Sequence, residues 1–178
     1  MLRVTAAVVL AWLLAASGSA PQGAAQVPVT PPAPQNCTAP EHRQFDFWIG
    51  DWEVTVGGQP AGTNRIAEDL KGCVLVEQWT AKGGGRGSSL NFYDRRTRAW
   101  HQTWIDQQGG ALRLEGGLRD GAMVLQSEPQ PDATGVPTIQ RITWSPGTDG
   151  SVRQYWESSR DGGATWTTVF DGRYVKSR

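Results

Sequence analysis

Glycine-bearing turns punctuate the chain from residue 57 onward at short intervals, and the residues between them alternate in polarity. The turns are Gly57-Gly58, Lys71-Gly72, Gly83-Gly84-Gly85, Gln108-Gly109-Gly110, Asp120-Gly121, Asp149-Gly150 and Asp161-Gly162-Gly163. They offer the positive φ angles that tight hairpins need. The segments between them predict strands at Trp52 to Val56, Gly62 to Asp69, Cys73 to Thr80, Ser88 to Asp94, Trp100 to Asp106, Ala111 to Leu118, Met123 to Glu128, Thr138 to Ser145, Val152 to Ser158 and Thr167 to Tyr174. Short antiparallel strands in such number must manage their edges, and closure does so most completely. We therefore expect an all-β fold, an antiparallel meander closed into a barrel of about ten strands, with a two-sheet sandwich as the alternative. Gly83-Gly84-Gly85-Arg86-Gly87 reads as a hairpin tip rather than a nucleotide loop, because no Lys-Ser/Thr pair or helix follows it. Pro129 to Pro137 is the longest irregular connection and reads as a rim loop or lid.

The stretch ahead of the first strand favours the barrel. Phe45-Asp46-Phe47-Trp48-Ile49-Gly50-Asp51-Trp52 joins a short aromatic helix through a glycine to a strand led by tryptophan. Phe45 and Trp48 should plug one barrel end, with Gly50 in the left-handed conformation that ends a helix. Thr38-Ala39-Pro40-Glu41 has the form of a capping box, with Thr38 as N-cap and Pro40 in the first turn. His42 should then lie on the exposed part of that helix.

Residues 1–25 read as a signal peptide: Arg3 supplies the positive start, Val4 to Ala16 an apolar run too short to span a bilayer, and Ser17 to Ala25 a small-residue exit. Residues 26–36, with Pro28, Pro31, Pro32 and Pro34, read as an extended linker, which leaves 37–178 as the barrel domain. The expected destination is the periplasm or the exterior. No membrane insertion is expected after cleavage. In an oxidising compartment the pair Cys37 and Cys73 favours a disulfide, with two unbridged thiols or a metal site as alternatives. Two cysteines with no nearby histidine make a poor zinc site.

Charge narrows the partners. With 17 Lys+Arg against 17 Asp+Glu and no basic run, the chain has no electrostatic footprint for nucleic acid or an anionic membrane surface. Nothing in the sequence specifies an oligomeric state. Tryptophan is the compositional anomaly at nine residues, of which only Trp12 lies in the leader. Such rings fill barrel walls or line ligand cavities.

Three strands repeat one pattern, a polar residue two positions before a tryptophan: Glu77 and Trp79, Gln102 and Trp104, Gln154 and Trp156. Residues two apart on a strand share a face. Pointing inward, they would wall a cavity with indoles and dot it with one carboxylate and two amides, as in a specific small-molecule pocket. The alternative is a solid core with the polar atoms bonded to neighbouring strands. Asn91 and Tyr93 share one face of their strand and are further pocket candidates, although either face of that strand could be the inner one. Arg113, Arg141 and Arg153 sit within strands, where one could pair with Glu77 or all could lie on the outer wall.

Catalytic constellations are missing from this set. His101 alternates away from Trp100, Gln102 and Trp104, no serine sits in a nucleophile elbow, and no cluster supplies three metal ligands. A haem ligated by a single histidine in the barrel is an alternative, but the chain lacks a clear haem-ligand context, and no cofactor or metal is expected. Glycoside hydrolysis would need two inward carboxylates, and the alternation offers only Glu77 with Asp106. Ser159-Arg160-Asp161-Gly162-Gly163-Ala164-Thr165-Trp166 matches the Asp-box of sialidase-like propellers, S-x-D-x-G-x-x-W. There the motif stabilises a hairpin. One box without an internal repeat does not make a propeller.

Together, the F-D-F-W-x-G-x-W stretch at 45–52, Gly72-Cys73 followed by Glu77-Gln78-Trp79, Trp100-His101-Gln102-Thr103-Trp104, Arg141-Ile142-Thr143-Trp144 and the Asp-box hairpin resemble a family of small exported bacterial proteins of unknown function. That family resembles the calycin superfamily of lipocalin-like β-barrels, whose Gly-x-Trp entry is similar to Gly50-Asp51-Trp52. The resemblance implies a lipocalin-like barrel with a short N-terminal plug helix and favours binding over catalysis. The expected function is an exported binder of a small molecule that is partly apolar and neutral or weakly cationic. The alternatives are a glycosidic hydrolase acting through inward carboxylates and a purely structural secreted module.

Overall fold

The computed structural model describes residues 37–177, so the expected leader and Pro-rich linker lie outside the described residues. Two short 3-10 turns, Pro40–Arg43 and Asp46–Trp48, precede β1 (Gly50–Val56) and β2 (Gln59–Asp69). A third, Leu70–Gly72, leads into β3 (Val74–Ala81), β4 (Arg86–Asp94), β5 (Ala99–Asp106), β6 (Ala111–Arg119) and β7 (Ala122–Gln126). After the two-residue β8 (Gln130–Pro131) come β9 (Pro137–Pro146), β10 (Val152–Ser159) and β11 (Thr167–Lys176).

Each strand from β1 to β7 pairs antiparallel with the next, β7 pairs with β9, and β9, β10 and β11 continue the meander. The sheet closes where β11 pairs with β1, with Trp52 opposite Lys176 and Val54 opposite Tyr174. The result is a closed ten-stranded antiparallel barrel. The β8 residues, expected to be irregular, bridge only to Thr138 and Pro137 of β9 and stay outside the ring.

Period-two alternation places Trp52, Val54, Ile66, Leu75, Trp100, Leu114, Leu125, Ile142, Trp144 and Val152 in one buried cluster. Phe45 and Trp48 enter it from one end and are fully buried. Their rings stack at 4.9 Å, and Phe45 meets Trp100 and Trp144 edge-on at 5.6 and 5.2 Å. The plug is therefore built as expected from these two side chains, but on a different backbone. It consists of two 3-10 turns, and the capping box does not form: Ala39 takes the N-cap position, with no side-chain hydrogen bond. The segment is too short to repay helix nucleation, and its backbone serves tertiary contacts instead. The Trp48 carbonyl accepts from Nε1 of Trp52 at 2.9 Å. Gly50 has φ +145°, which is outside the αL geometry expected of a helix stop.

His42 is a further correction, since it is 5 % exposed and packs edge-on to Tyr93 at 5.2 Å. Burial, with Arg95 nearby, lowers its pKa. Cys37 and Cys73 form the expected disulfide, tying the start of the domain to the turn that opens β3. No helix among the described residues is long and apolar enough to cross a membrane.

Candidate functional site

The repeated strand pattern builds the barrel interior in layers. Leu75, Trp100 and Val152 face inward near the plug; two residues further along the same strands come Glu77, Gln102 and Gln154, and two further still Trp79, Trp104 and Trp156. The polar residues form a mid-barrel layer with the indoles above it, on the side away from the plug. Both layers line a cavity of about 260 Å³, to which Leu112, Ile142, Phe170 and Tyr174 also contribute. The interior is thus hollow at one end and packed at the other.

Glycines on neighbouring strands keep it hollow. A Cβ at Gly87 would overlap the Trp104 ring, and one at Gly62 would meet first the Thr80 carbonyl of the next strand and then the tip of Trp79 at 2.9 Å. Lacking a Cβ, these positions let each indole lie against the wall instead of across the lumen.

Below the indoles runs a connected hydrogen-bond network. Asn64 Nδ2 donates to Glu77 Oε1 at 2.7 Å, and Ser89 Oγ lies 2.5 Å from Glu77 Oε2. Asn91 Nδ2 donates to Ser89 Oγ at 2.8 Å and to the Leu75 carbonyl at 3.1 Å, while Gln102 Nε2 donates to Asn91 Oδ1 at 2.7 Å. On the facing wall Tyr174 donates its hydroxyl to Gln154 Oε1 at 2.5 Å. Asn64 Oδ1 is buried with no partner.

Glu77 is 4 % exposed, and no Lys, Arg or His lines the cavity. Arg141 pairs with Glu157 at 3.0 Å and lies over the Trp166 ring, Arg153 pairs with Asp171 at 2.7 Å, and Arg113 is exposed. Burial therefore raises the Glu77 pKa, and the hydrogen bonds from Ser89 and Asn64 only partly oppose it. Burial also holds the Tyr174 hydroxyl well above its ordinary range, helped by the neighbouring Glu77.

All six members of the three polar-tryptophan pairs thus meet on one cavity. Asn91 and Tyr93 share the inward face of β4 but do not line it: Asn91 lies fully buried beneath Gln102, and Tyr93 packs against His42 and Trp100 nearer the plug. Glu77 is the one carboxylate on the cavity wall, whereas Asp106 caps the turn after β5 by accepting from the backbone N–H groups of Gln108 and Gly110. His101 faces outward, stacked on Phe92. Sequence reasoning missed Asn64, Ser89, Phe170 and Tyr174. The alternation Phe170, Gly172, Tyr174 carried a readable signal for the last two, but a lone Asn in β2 carried none.

The Asp-box hairpin is the turn-stabilising device the motif suggests. Asp161 accepts from the Thr165 N–H and hydroxyl, Gly163 N–H donates to Ser159 Oγ, and Trp166 Nε1 donates to the Gly163 carbonyl. Hydrogen bonds from the Thr165 hydroxyl, foremost, the Thr165 N–H and the Ser159 hydroxyl hold the Asp161 pKa down to about 2.

No family profile matches the chain, and no curated protein matches it in sequence. The fold defines the class by itself: a closed ten-stranded antiparallel β-barrel, plugged at one end and hollow at the other.

Proposed function

We propose that this is an exported, lipocalin-like binding barrel whose ligand is small, partly apolar and neutral or weakly cationic. Trp79, Trp104 and Trp156 supply its apolar walls, and Glu77, Gln102 and Gln154 fix its orientation. The observation that carries the reading is the indole-walled cavity itself, with a buried carboxylate and no cationic residue in its lining. An anion entering it would lose its hydration without gaining a counter-charge, whereas a hydrogen-bond donor or a weak cation meets acceptors and indole faces. At about 260 Å³ the cavity lies at the small end of ligand pockets, suited to a molecule of one or two rings.

Export rests on the leader-like sequence and agrees with the disulfide, which persists in oxidising compartments. The calycin resemblance rests on the Gly-x-Trp entry and agrees with the antiparallel closure and the aromatic plug. A purely structural role would need no hollow, and a filled interior would have favoured it.

Native mass spectrometry of protein taken from its own periplasm should show a bound small molecule, which a tryptophan-fluorescence titration would then quantify. Trp104→Ala or Trp156→Ala should weaken that binding by about 1 to 3 kcal/mol, as loss of a central aromatic anchor does. Unchanged affinity in both folded variants would overturn the assignment of this cavity.

A further inference from the structure

Past the indole layer the cavity adjoins a second hollow of about 280 Å³, and Trp104, Leu112 and Trp156 line both. The character of the lining changes across these shared walls. The outer hollow is bounded by Asp106, Ser127, Gln130, Asp132, Thr138 and Gln140 and, like the inner one, has no Lys, Arg or His in its lining.

Several of its polar groups have hydrogen-bonding capacity that the fold leaves unused. Asp106 spends Oδ1 on the turn backbone, while its Oδ2 takes no hydrogen bond among the described residues. Ser127 is 5 % exposed, and its Oγ accepts from the Gln140 N–H, so the hydroxyl proton remains to be donated. Gln140 uses Oε1 to hold Trp156 Nε1 at 2.7 Å, and its NH₂ group has no acceptor among the described residues. Asp132, by contrast, is consumed by Thr134, Val136, Thr138 and Arg160 and offers little to a ligand.

From this juxtaposition we infer that the outer hollow is a second subsite, and that it takes the uncharged, hydroxyl-bearing head of a ligand whose apolar ring occupies the inner cavity. The inference rests on the binding function proposed above and adds the orientation and chemistry of the exposed half. An ammonium head could answer Asp106 but could not accept from Ser127 or Gln140, because it has no lone pair. A carboxylate or phosphate head would face Asp106 with no cation in the lining, since the nearby Arg160 is paired with Asp132. A hydroxyl both donates and accepts and so meets all three groups, and the C–H face of a polyol ring can rest on the Trp104 and Trp156 indoles that divide the hollows.

The test uses three probes that share a phenyl ring: phenol, phenyl β-glucoside and phenethylamine, each titrated by tryptophan fluorescence against the intact protein, with free glucose as a control. Phenyl glucoside should bind more tightly than phenol or phenethylamine, and glucose alone should bind weakly. Asp106→Asn preserves the oxygen that caps the turn and replaces the free acceptor with a donor. Because a hydroxyl can also accept from the new NH₂ group, the loss is that of the charge-assisted bond: phenyl glucoside binding should weaken roughly three- to ten-fold and phenol stay unmoved. Ser127→Ala should act in the same direction, with circular dichroism checking that β9 remains paired.

Binding of phenol with no gain from the glucosyl head would overturn the outer subsite and leave the inner cavity standing. Preference for phenethylamine would replace the hydroxylated head with a cationic one and so overturn the inference. Failure of every aromatic probe to bind would overturn both readings.

Discussion

Glu77 is the residue on which the interior turns, because it is a carboxylate buried beside amides and a hydroxyl without a cation. Its folded pKa lies above the ordinary value of 4.5. Between those two values the folded state binds more protons than the unfolded chain, so stability falls as pH rises through that window. Relative to Glu77→Gln, which shares the opposite contribution of His42, the urea midpoint of the parent should therefore decline on going from about pH 4.5 upward. Glu77→Gln keeps an oxygen to accept from Asn64 and gains an NH₂ group to donate to Ser89, without a titrating charge. That variant should lose the declining limb, and an unchanged pH profile would show that ionisation of Glu77 does not control it. At this scale the three polar-tryptophan pairs were legible because a period of two needs only one strand to be read. Asn64 and Ser89 were not, since their role depends on which residues the neighbouring strand registers place opposite them, and register is not written locally.

Among the elements, β4 and β5 show how an open interior is made from residues that would otherwise fill it. Trp104 lies over Gly87 of the adjacent strand, where a Cβ would overlap the ring. Gly87→Ala should push the indole into the lumen, lowering stability by about 1 to 3 kcal/mol and abolishing ligand binding with the β circular-dichroism signal intact. Ligand affinity equal to that of the parent would mean that the glycine does not hold the cavity open. Turn chemistry made the strands themselves easy to place, and each barrel strand lies within a few residues of where alternation predicts it. The plug was harder: its composition is that of a helix start, but tertiary demand on the Trp48 carbonyl and burial of His42 select two 3-10 turns instead.

For the molecule as a whole, closure puts the first and last strands side by side, with the beginning of β1 against the end of β11. Under tension, that adjacency sets where the barrel is weakest. Force applied between the two ends of an antiparallel pair that exits on one side opens its ladder one bond at a time, like a zip, rather than shearing all the bonds together. The disulfide changes the route. A pull arriving at Cys37 passes through the bridge to Cys73, so that β1 and β2 lie in a covalent loop that bears no load. The 36-residue separation of the cysteines should accordingly shorten the unfolded contour length of the oxidised protein by roughly 120 Å relative to the reduced one in optical-tweezer extension. Equal lengths before and after reduction would refute the bypass. A barrel carried on an N-terminal tether would thus take the load from that side at the start of β3 rather than at β1.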